Sequence, residues 1–227
     1  MAVLSRQHQI TGSSRLPPYD DSLFERIATG LETQGYVILP AALPPAIADG
    51  LVEALSRLDG EQFHPASIGR RQEQGRNQFV RRDQIAWIDD SLALAHPWLD
   101  WTGRLKSFLN RRLFLGLFSF ESHFALYQPG DFYKKHLDAF RGESNRVLSM
   151  VTYLNKGWEP DHGGELVLYP SERAAEAIRI TPGFGTLVLF LSEEFPHEVL
   201  PAERERYSVA GWFRVNTSIN NQVDPPL

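Results

Sequence analysis

Apolar positions in the first half of the chain recur at helical spacing in three segments. In "DSLFERIATGLETQG", Leu23, Ile27 and Leu31 fall on one helical face. An Asp-Ser pair precedes these positions and Gly35 follows them as a stop signal. The run "LPPAIADGLVEALSRLDG" begins with prolines and ends at Gly60, which is typical of a helix, and "AHPWLDWTGRLKSFLNRRLF" predicts a third. We expect "YVILP" to form a short strand and the first two helices to cover one face of a sheet.

From about Phe118 the pattern changes to short β-rich runs separated by turn signals such as Gln-Pro-Gly, His-Gly-Gly and Pro-Gly-Phe-Gly. No parallel βαβ alternation is visible in this half. Eight short strands in such an order indicate an antiparallel sandwich or jelly roll. The eight runs are "FSFESHFALY", "DFYKKH", "RVLSMVTYLN", "GELVLYP", "AIRI", "GTLVLFL", "HEVL" and "RYSVAGWFRV".

The segment at about 60–80, rich in Arg, Gln and Gly, has neither helical nor strand periodicity. A long loop of this kind inside a compact domain is usually functional or disordered, and we predict a mobile surface loop that resumes as strand in "FVRRDQIAWI". Residues 1–20 are predicted to be flexible and 216–227 to form a loose tail. The remainder, 21–215, predicts a single domain with helical support over about 21–113 and a β core over about 118–215.

Composition restricts the chemistry more than the fold. The chain of 227 residues is 42% hydrophobic and 22% charged, which is ordinary for a soluble globular protein. It contains no cysteine, so disulfides and thiolate metal sites are excluded and His and carboxylates remain as ligands. The net charge of −5 gives no reason to expect nucleic-acid or membrane binding. No secretory signal or membrane-length apolar run is visible, and we expect a cytoplasmic location.

The pair His136-x-Asp138, followed by His197, is the strongest candidate for chemistry. Two imidazoles and one carboxylate can hold one face of an octahedral Fe(II) and leave the other positions open. Residues two apart on a strand project from the same face, so a strand through "FYKKHLDAF" would present both ligands together. Taken singly, each residue has an ordinary explanation as a solvated strand or turn histidine or a surface charge. The prediction rests on their combination with Arg206.

Arg206 opens the last β run and is suited to bind the distal carboxylate of a ligand at the metal. Arg206 and Arg214 have the same strand parity and are about 26 Å apart at about 3.3 Å per residue, so only one can serve such a ligand. Arg206 follows the metal candidate His197 by one short turn and is the better choice. Elsewhere, His123 is predicted to be a core histidine and His162 a turn residue.

The strings "YQPGDFYKKHLDAF", "RVLSMVTYLNKGW", "GGELVLYP" and "FPHEVLPAERERYSVAGWF" resemble the catalytic core of Fe(II)- and 2-oxoglutarate-dependent oxygenases. The resemblance is specifically to their prolyl-4-hydroxylase-domain branch, including bacterial members, and extends from about residue 22 to 214. It implies an α+β fold whose core is a double-stranded β-helix (jelly roll) of eight antiparallel strands, with N-terminal helices packed on one sheet.

The resemblance also implies roles for individual residues. It makes His136, Asp138 and His197 the metal ligands and gives Arg206 the distal carboxylate of 2-oxoglutarate. The remaining residues fall into a co-substrate pocket and a substrate region. They are Tyr153, Tyr127 and Tyr133 in the pocket, Arg146 and Trp212 near the substrate prolyl ring, and Arg81 and Asp83 as an ion pair that orders the preceding loop.

The activity implied is C4 hydroxylation of a prolyl residue in a protein, coupled to decarboxylation of 2-oxoglutarate to succinate and CO2. Fe(II), 2-oxoglutarate and O2 would be required, with ascorbate as a stimulant. The resemblance suggests elongation factor Tu as one candidate substrate, and neither a membrane nor a nucleic acid is expected as a partner. Two alternatives stay open: a 2-oxoglutarate oxygenase of a different side chain, free amino acid or alkylated nucleic acid, and a non-catalytic jelly-roll binding module.

Overall fold

The computed structural model describes residues 20–66, 79–139, 145–171 and 173–216. The predicted flexible N-terminus, most of the predicted loop at 60–80 and the predicted C-terminal tail lie outside these residues. Within them, three α-helices occupy the predicted segments: α1 (Asp20–Gln34), α2 (Pro45–Ser56) and α3 (His96–Leu113). Gly35 ends α1 with a φ of 77°, a conformation that favours glycine. α2 ends before the predicted Gly60, and none of the described helices is long and apolar enough to cross a membrane.

Eleven β-strands occur in the described residues, and the last eight coincide with the eight predicted runs. "FVRRDQIAWI" is strand only over its second half, and the short β2 was not predicted. The strands are β1 (Tyr36–Leu39), β2 (His64–Pro65), β3 (Gln84–Ile88), β4 (Ser119–Tyr127), β5 (Tyr133–His136), β6 (Arg146–Tyr153), β7 (Leu166–Leu168), β8 (Ile178–Ile180), β9 (Leu187–Leu191), β10 (His197–Val199) and β11 (Arg206–Arg214).

The strands form two antiparallel sheets. The major sheet has the order β1-β9-β6-β11-β4-β3-β2, and the minor sheet has the order β5-β10-β7-β8. The eight strands from β4 to β11 contribute four to each sheet, and β1, β2 and β3 extend the edges of the major sheet. This is the predicted double-stranded β-helix, in which the chain passes repeatedly from one sheet to the other and only β7 and β8 are consecutive core strands of the same sheet.

Strand parity divides the apolar residues of the major sheet between two cores. Along β9, Leu187 and Leu189 pack with the three helices, whereas Val188 and Phe190 pack against the minor sheet. The helices therefore cover one face of the major sheet, as predicted. Its other face and the minor sheet enclose a second cluster, which contains Tyr127 and Tyr153 and has Tyr133 packed against it.

Candidate metal centre and co-substrate pocket

His136 and His197 lie directly opposite each other on the paired strands β5 and β10. Their ring centroids are 4.3 Å apart, and one ligand atom from each of His136, His197 and Asp138 can be chosen so that all three lie within 4.8 Å of one another. The Asp138 oxygens lie 3.7 Å from His136 Nε2 and 3.6 Å from His197 Nε2. Donors that bind one ion at about 2 Å are at most about 4 Å apart, so the two distances from Asp138 to the imidazoles fit a single metal ion.

The orientation of both imidazoles is fixed by the backbone. Nδ1 of His136 donates to the carbonyl of Lys134 at 2.8 Å, and Nδ1 of His197 donates to the carbonyl of Phe195 at 3.1 Å. A ring that donates from Nδ1 keeps the lone pair of Nε2 available, which is the arrangement typical of histidine metal ligands. Tyr133 stacks on the His136 ring with centroids 3.5 Å apart and limits its rotation.

Asp138 reaches the site differently from the prediction. β5 ends at His136, because its partner β10 begins at His197, so Asp138 lies in the bend after the strand and not on it. Its carboxylate is held instead by the major sheet, where the Ser149 hydroxyl on β6 donates to Oδ2 at 2.6 Å. Ser149 Oγ also lies 2.8 Å from Ser192 Oγ. Since the single hydroxyl proton of Ser149 is used in the hydrogen bond to Asp138, the hydroxyl of Ser192 must donate to Ser149 Oγ.

The electrostatics suit a metal site. Burial would raise the pKa of the Asp138 carboxyl, but His197, His136 and the Ser149 hydroxyl hold it well below its usual range. Burial lowers the pKa of His197 to about 4, against the opposing effect of Asp138. Near neutral pH the site therefore offers an ionised carboxylate beside a neutral imidazole, which are the protonation states that bind a divalent metal.

Arg206 is the first residue of β11 and is only 1% exposed. Its Nε donates to the carbonyl of Gly164 at 2.8 Å and its Nη1 to Ser208 Oγ at 3.3 Å. Gly164 has a φ of 71°, and a Cβ there would lie 3.2 Å from Arg206 Cδ, so glycine permits this close approach. In the described part of the chain, no carboxylate lies within ion-pair distance of this buried guanidinium. A buried cation without a counter-ion favours an anionic ligand.

Two tyrosines enclose the Arg206 guanidinium, whose central carbon lies 4.9 Å from the Tyr127 ring and 5.0 Å from the Tyr153 ring. The Tyr153 hydroxyl is buried and has no hydrogen-bond partner among the described residues. Burial raises the pKa of Tyr153 to about 12, so the phenol keeps its proton. A buried hydroxyl donor beside a buried guanidinium matches a carboxylate ligand.

The predicted substrate residues lie toward β3 and β4. Arg81 and Asp83 form a two-pronged ion pair, with Nε–Oδ1 and Nη2–Oδ2 distances of 2.8 and 2.6 Å. The Arg81 guanidinium carbon lies 4.4 Å from the Tyr133 ring, which connects this pair to the ring stacked on His136. The Arg146 guanidinium carbon lies 3.7 Å from the Trp212 ring. The loop that Arg81 and Asp83 were predicted to order lies mostly outside the described residues.

Several other expectations can be compared with the structure. Arg206 and Arg214 do face the same side of the sheet, but Arg214 donates to Glu121 at 3.1 Å at the far end of β11. His123 is buried beside two tryptophan rings, and His162 lies in a turn. The sequence reasoning did not find Ser149, Ser192 or Glu121. The signal for Ser149 was its strand parity, which it shares with Tyr153 on β6.

Comparisons with known proteins agree with this geometry. Residues 122–214 match the 2OG-Fe(II) oxygenase superfamily. The crystal structure of a Pseudomonas putida prolyl-4-hydroxylase is 39% identical, with a TM-score of 0.76, over 86% of this chain and 100% of that one. The chain belongs to the prolyl hydroxylase family of 2-oxoglutarate- and Fe(II)-dependent oxygenases.

Two further relatives are named as prolyl hydroxylases. One is a prolyl hydroxylase from Trichoplax adhaerens, solved with a hypoxia inducible factor oxygen degradation domain peptide. It is 29% identical over 85% of this chain and 89% of that chain, with a TM-score of 0.75. The other is prolyl hydroxylase EGLN3 of Mus musculus, 28% identical over 83% of this chain and 82% of that protein. The protein is thus a 2-oxoglutarate-dependent dioxygenase, which requires Fe(II), 2-oxoglutarate and O2, and a non-catalytic binding module is set aside.

Proposed function

We propose that this enzyme hydroxylates C4 of a prolyl residue in a protein substrate while 2-oxoglutarate is decarboxylated to succinate and CO2. One oxygen atom of O2 would enter the prolyl hydroxyl group and the other would enter succinate. The observation that carries the proposal is the convergence of His136, Asp138 and His197 between two sheets that also bury Arg206, which has no carboxylate within ion-pair distance among the residues that the structure describes. The similarity to prolyl hydroxylases over most of the chain supports a prolyl substrate.

In this proposal, His136, Asp138 and His197 would hold Fe(II), which together with 2-oxoglutarate supplies the activation of O2. Arg206 and the Tyr153 hydroxyl would bind the distal carboxylate of 2-oxoglutarate. The protein itself contributes orientation, charge complementarity and exclusion of water.

The remaining candidates surround these groups. Tyr127 packs against Arg206 and Tyr133 against His136, so both would line the pocket. The stacked pair of Arg146 and Trp212 would contact the substrate near the prolyl ring, and Arg81 with Asp83 would support the segment that precedes β3.

A panel of synthetic proline-containing peptides tests the substrate assignment. The panel includes segments of elongation factor Tu, and each peptide is incubated aerobically with enzyme, Fe(II), 2-oxoglutarate and ascorbate. We expect at least one peptide to gain the mass of one oxygen atom on proline, with one equivalent of succinate, and omission of ascorbate to slow turnover. Amino-acid analysis for 4-hydroxyproline identifies the position.

The control is Asp138→Ala, which removes a predicted ligand and should give neither product. If alkylated nucleic acid or a free amino acid stimulates succinate release and no prolyl peptide does, the prolyl assignment is wrong while the oxygenase assignment stands.

A further inference from the structure

Glu121 joins two arginines on the side of the major sheet that faces the metal centre. Its Oε1 accepts from Nε and Nη2 of Arg146 at 3.2 and 3.0 Å, and its Oε2 accepts from Nη1 of Arg214 at 3.1 Å. The Glu121 side chain is only 11% exposed. Hydrogen bonds between ionised partners in such a sheltered position are among the stronger polar contacts of a protein.

To reach Glu121, the Arg146 side chain extends across the strand that lies between them. Arg146 is on β6 and Glu121 on β4, and β11 lies between these two strands. Trp212 of β11 is directly opposite Glu121, and the Arg146 guanidinium carbon lies 3.7 Å from the centre of its ring. The Arg146 guanidinium therefore lies over the face of the Trp212 indole, and the Glu121 carboxylate accepts its hydrogen bonds on the other side of β11. A cation over an indole ring is itself a favourable contact.

A β-bulge brings Arg146 to this side. In a regular strand, Arg146 and Ser149 would point to opposite faces, since they are three residues apart. The register between β6 and β11 shifts, so that Phe213 pairs with Leu148 but Arg214 pairs with Arg146. Such bulges re-aim side chains next to functional sites.

The stacked pair adjoins the metal centre. Trp212 is opposite Ser149 on β6, and Ser149 donates to the metal-ligand candidate Asp138. The Trp212 side chain is 9% exposed, and its indole Nε1 is buried and has no acceptor among the described residues. Arg146 keeps 28% of its side chain exposed and can be reached from solvent.

We propose that Glu121 is a positioning residue for the protein substrate: it holds the Arg146 guanidinium flat on Trp212, and this pair forms one wall of the site for the prolyl ring. The inference rests on the proposed function. Glu121 has no hydrogen bond or ion pair with the metal ligands or with Arg206, so its contribution to the reaction would lie in peptide binding. Without the carboxylate, Arg146 gains rotamers that leave the indole, and the wall is no longer formed before the peptide binds.

The test uses the full-length enzyme and the peptide with the highest kcat/KM in the panel described above. Glu121→Gln keeps the size of the side chain and removes its charge, whereas Glu121→Asp keeps the charge and shortens the reach. We expect both to raise the peptide KM about tenfold, since each removes or weakens the charge-assisted hydrogen bonds that hold Arg146 on the indole. The KM for 2-oxoglutarate and the kcat at saturating peptide should stay within about twofold of the wild type.

A double-mutant cycle separates positioning from a general structural role. Arg146→Ala should raise the peptide KM at least as much as Glu121→Gln, and Glu121→Gln added to Arg146→Ala should change it no further, because both act through the same guanidinium. The matched control is Glu32→Gln, which removes a glutamate from an ion pair with Arg112 far from the site. Its peptide KM should equal that of the wild type.

The outcomes distinguish failure of this inference from failure of the proposed function. If the peptide is hydroxylated and both Glu121 variants have the same peptide KM as the wild type, this inference alone is overturned. Additive effects in the cycle, or an equal rise in the KM for 2-oxoglutarate, overturn it as well. Failure of the wild-type enzyme to hydroxylate any prolyl peptide overturns the proposed function and this inference with it.

Discussion

The hydroxyl of Ser149 is predicted to set the metal affinity of the site, because it is the group that fixes Asp138. Ser149→Ala removes a hydrogen bond of 2.6 Å to Oδ2 and leaves a carboxylate that lies beyond the end of β5. A hydrogen bond to a charged group is worth about 1.5–3 kcal/mol, and about 1.4 kcal/mol is a factor of ten. The dissociation constant for Fe(II) should therefore rise about 10- to 100-fold, a range found for groups that support metal ligands.

The effect of Ser192 should be smaller. Its hydroxyl donates to Ser149 and not to the carboxylate, so Ser192→Ala removes a bond between neutral groups worth about 1 kcal/mol. The expected rise in the dissociation constant is about fivefold. Ser149→Thr keeps the hydroxyl and should restore most of the affinity that Ser149→Ala loses.

The assay is an anaerobic titration with Fe(II) at saturating 2-oxoglutarate, in which binding is monitored by the visible metal-to-ligand absorption. Ser122→Ala is the matched control, since Ser122 is a buried serine on the opposite face of the same sheet and accepts from Trp98 Nε1. It should lower the free energy of unfolding and leave the Fe(II) affinity unchanged. The reasoning would be refuted by a folded Ser149→Ala variant that binds Fe(II) within about twofold of the wild type.

Three further predictions concern the site and its surroundings. Asp138→Ala should abolish succinate formation while the circular dichroism spectrum is retained, and measurable turnover would contradict its role as a ligand. Arg206→Lys keeps the charge but loses the fork that donates to Gly164, so the KM for 2-oxoglutarate should rise about 10- to 100-fold, and an unchanged KM would exclude Arg206 from the pocket. Burial lowers the pKa of His123 from 6.5 to about 4. Between these two pH values the unfolded chain binds a proton on His123 that the folded chain does not bind. The free energy of unfolding should therefore fall by up to about 3 kcal/mol as the pH decreases through this window. His123→Gln should remove that part of the pH dependence in urea unfolding of the metal-free protein, and an identical slope in both proteins would count against it.

Much of the fold could be predicted because each element carries its own pattern. Short β-rich runs bounded by turn signals identified all eight strands of the core, and helical spacing with Gly35 as a stop identified α1. The side of β11 that carries Arg206 also follows from alternation, since it depends only on the parity of the strand. These signals are local, whereas the order of the strands within the two sheets is not encoded in any single segment.

The parts of the site that were missed depend on pairing between distant segments. The assignment of Asp138 to a strand was wrong because β5 ends where β10 no longer provides a partner, and no local residue signals that point. The side to which Arg146 points depends on a bulge against β11, and simple alternation gives the opposite answer relative to Ser149. Glu121 was not found for the same reason, since its ion pairs are with Arg214 on the adjacent strand β11 and with Arg146 on β6, one strand further away.

The division of the ligands between the sheets has a consequence for stability. The imidazoles of His136 and His197 belong to the minor sheet, whereas Asp138 is held by Ser149 of the major sheet. A metal bound to all three therefore links the two sheets across the interior that also contains Arg206. A ligand that binds only the folded chain stabilises it in proportion to the logarithm of its concentration over the dissociation constant. Because Ser149 is the connection on the major-sheet side, the same hydroxyl that sets the metal affinity also determines how much the metal stabilises the packing of the two sheets.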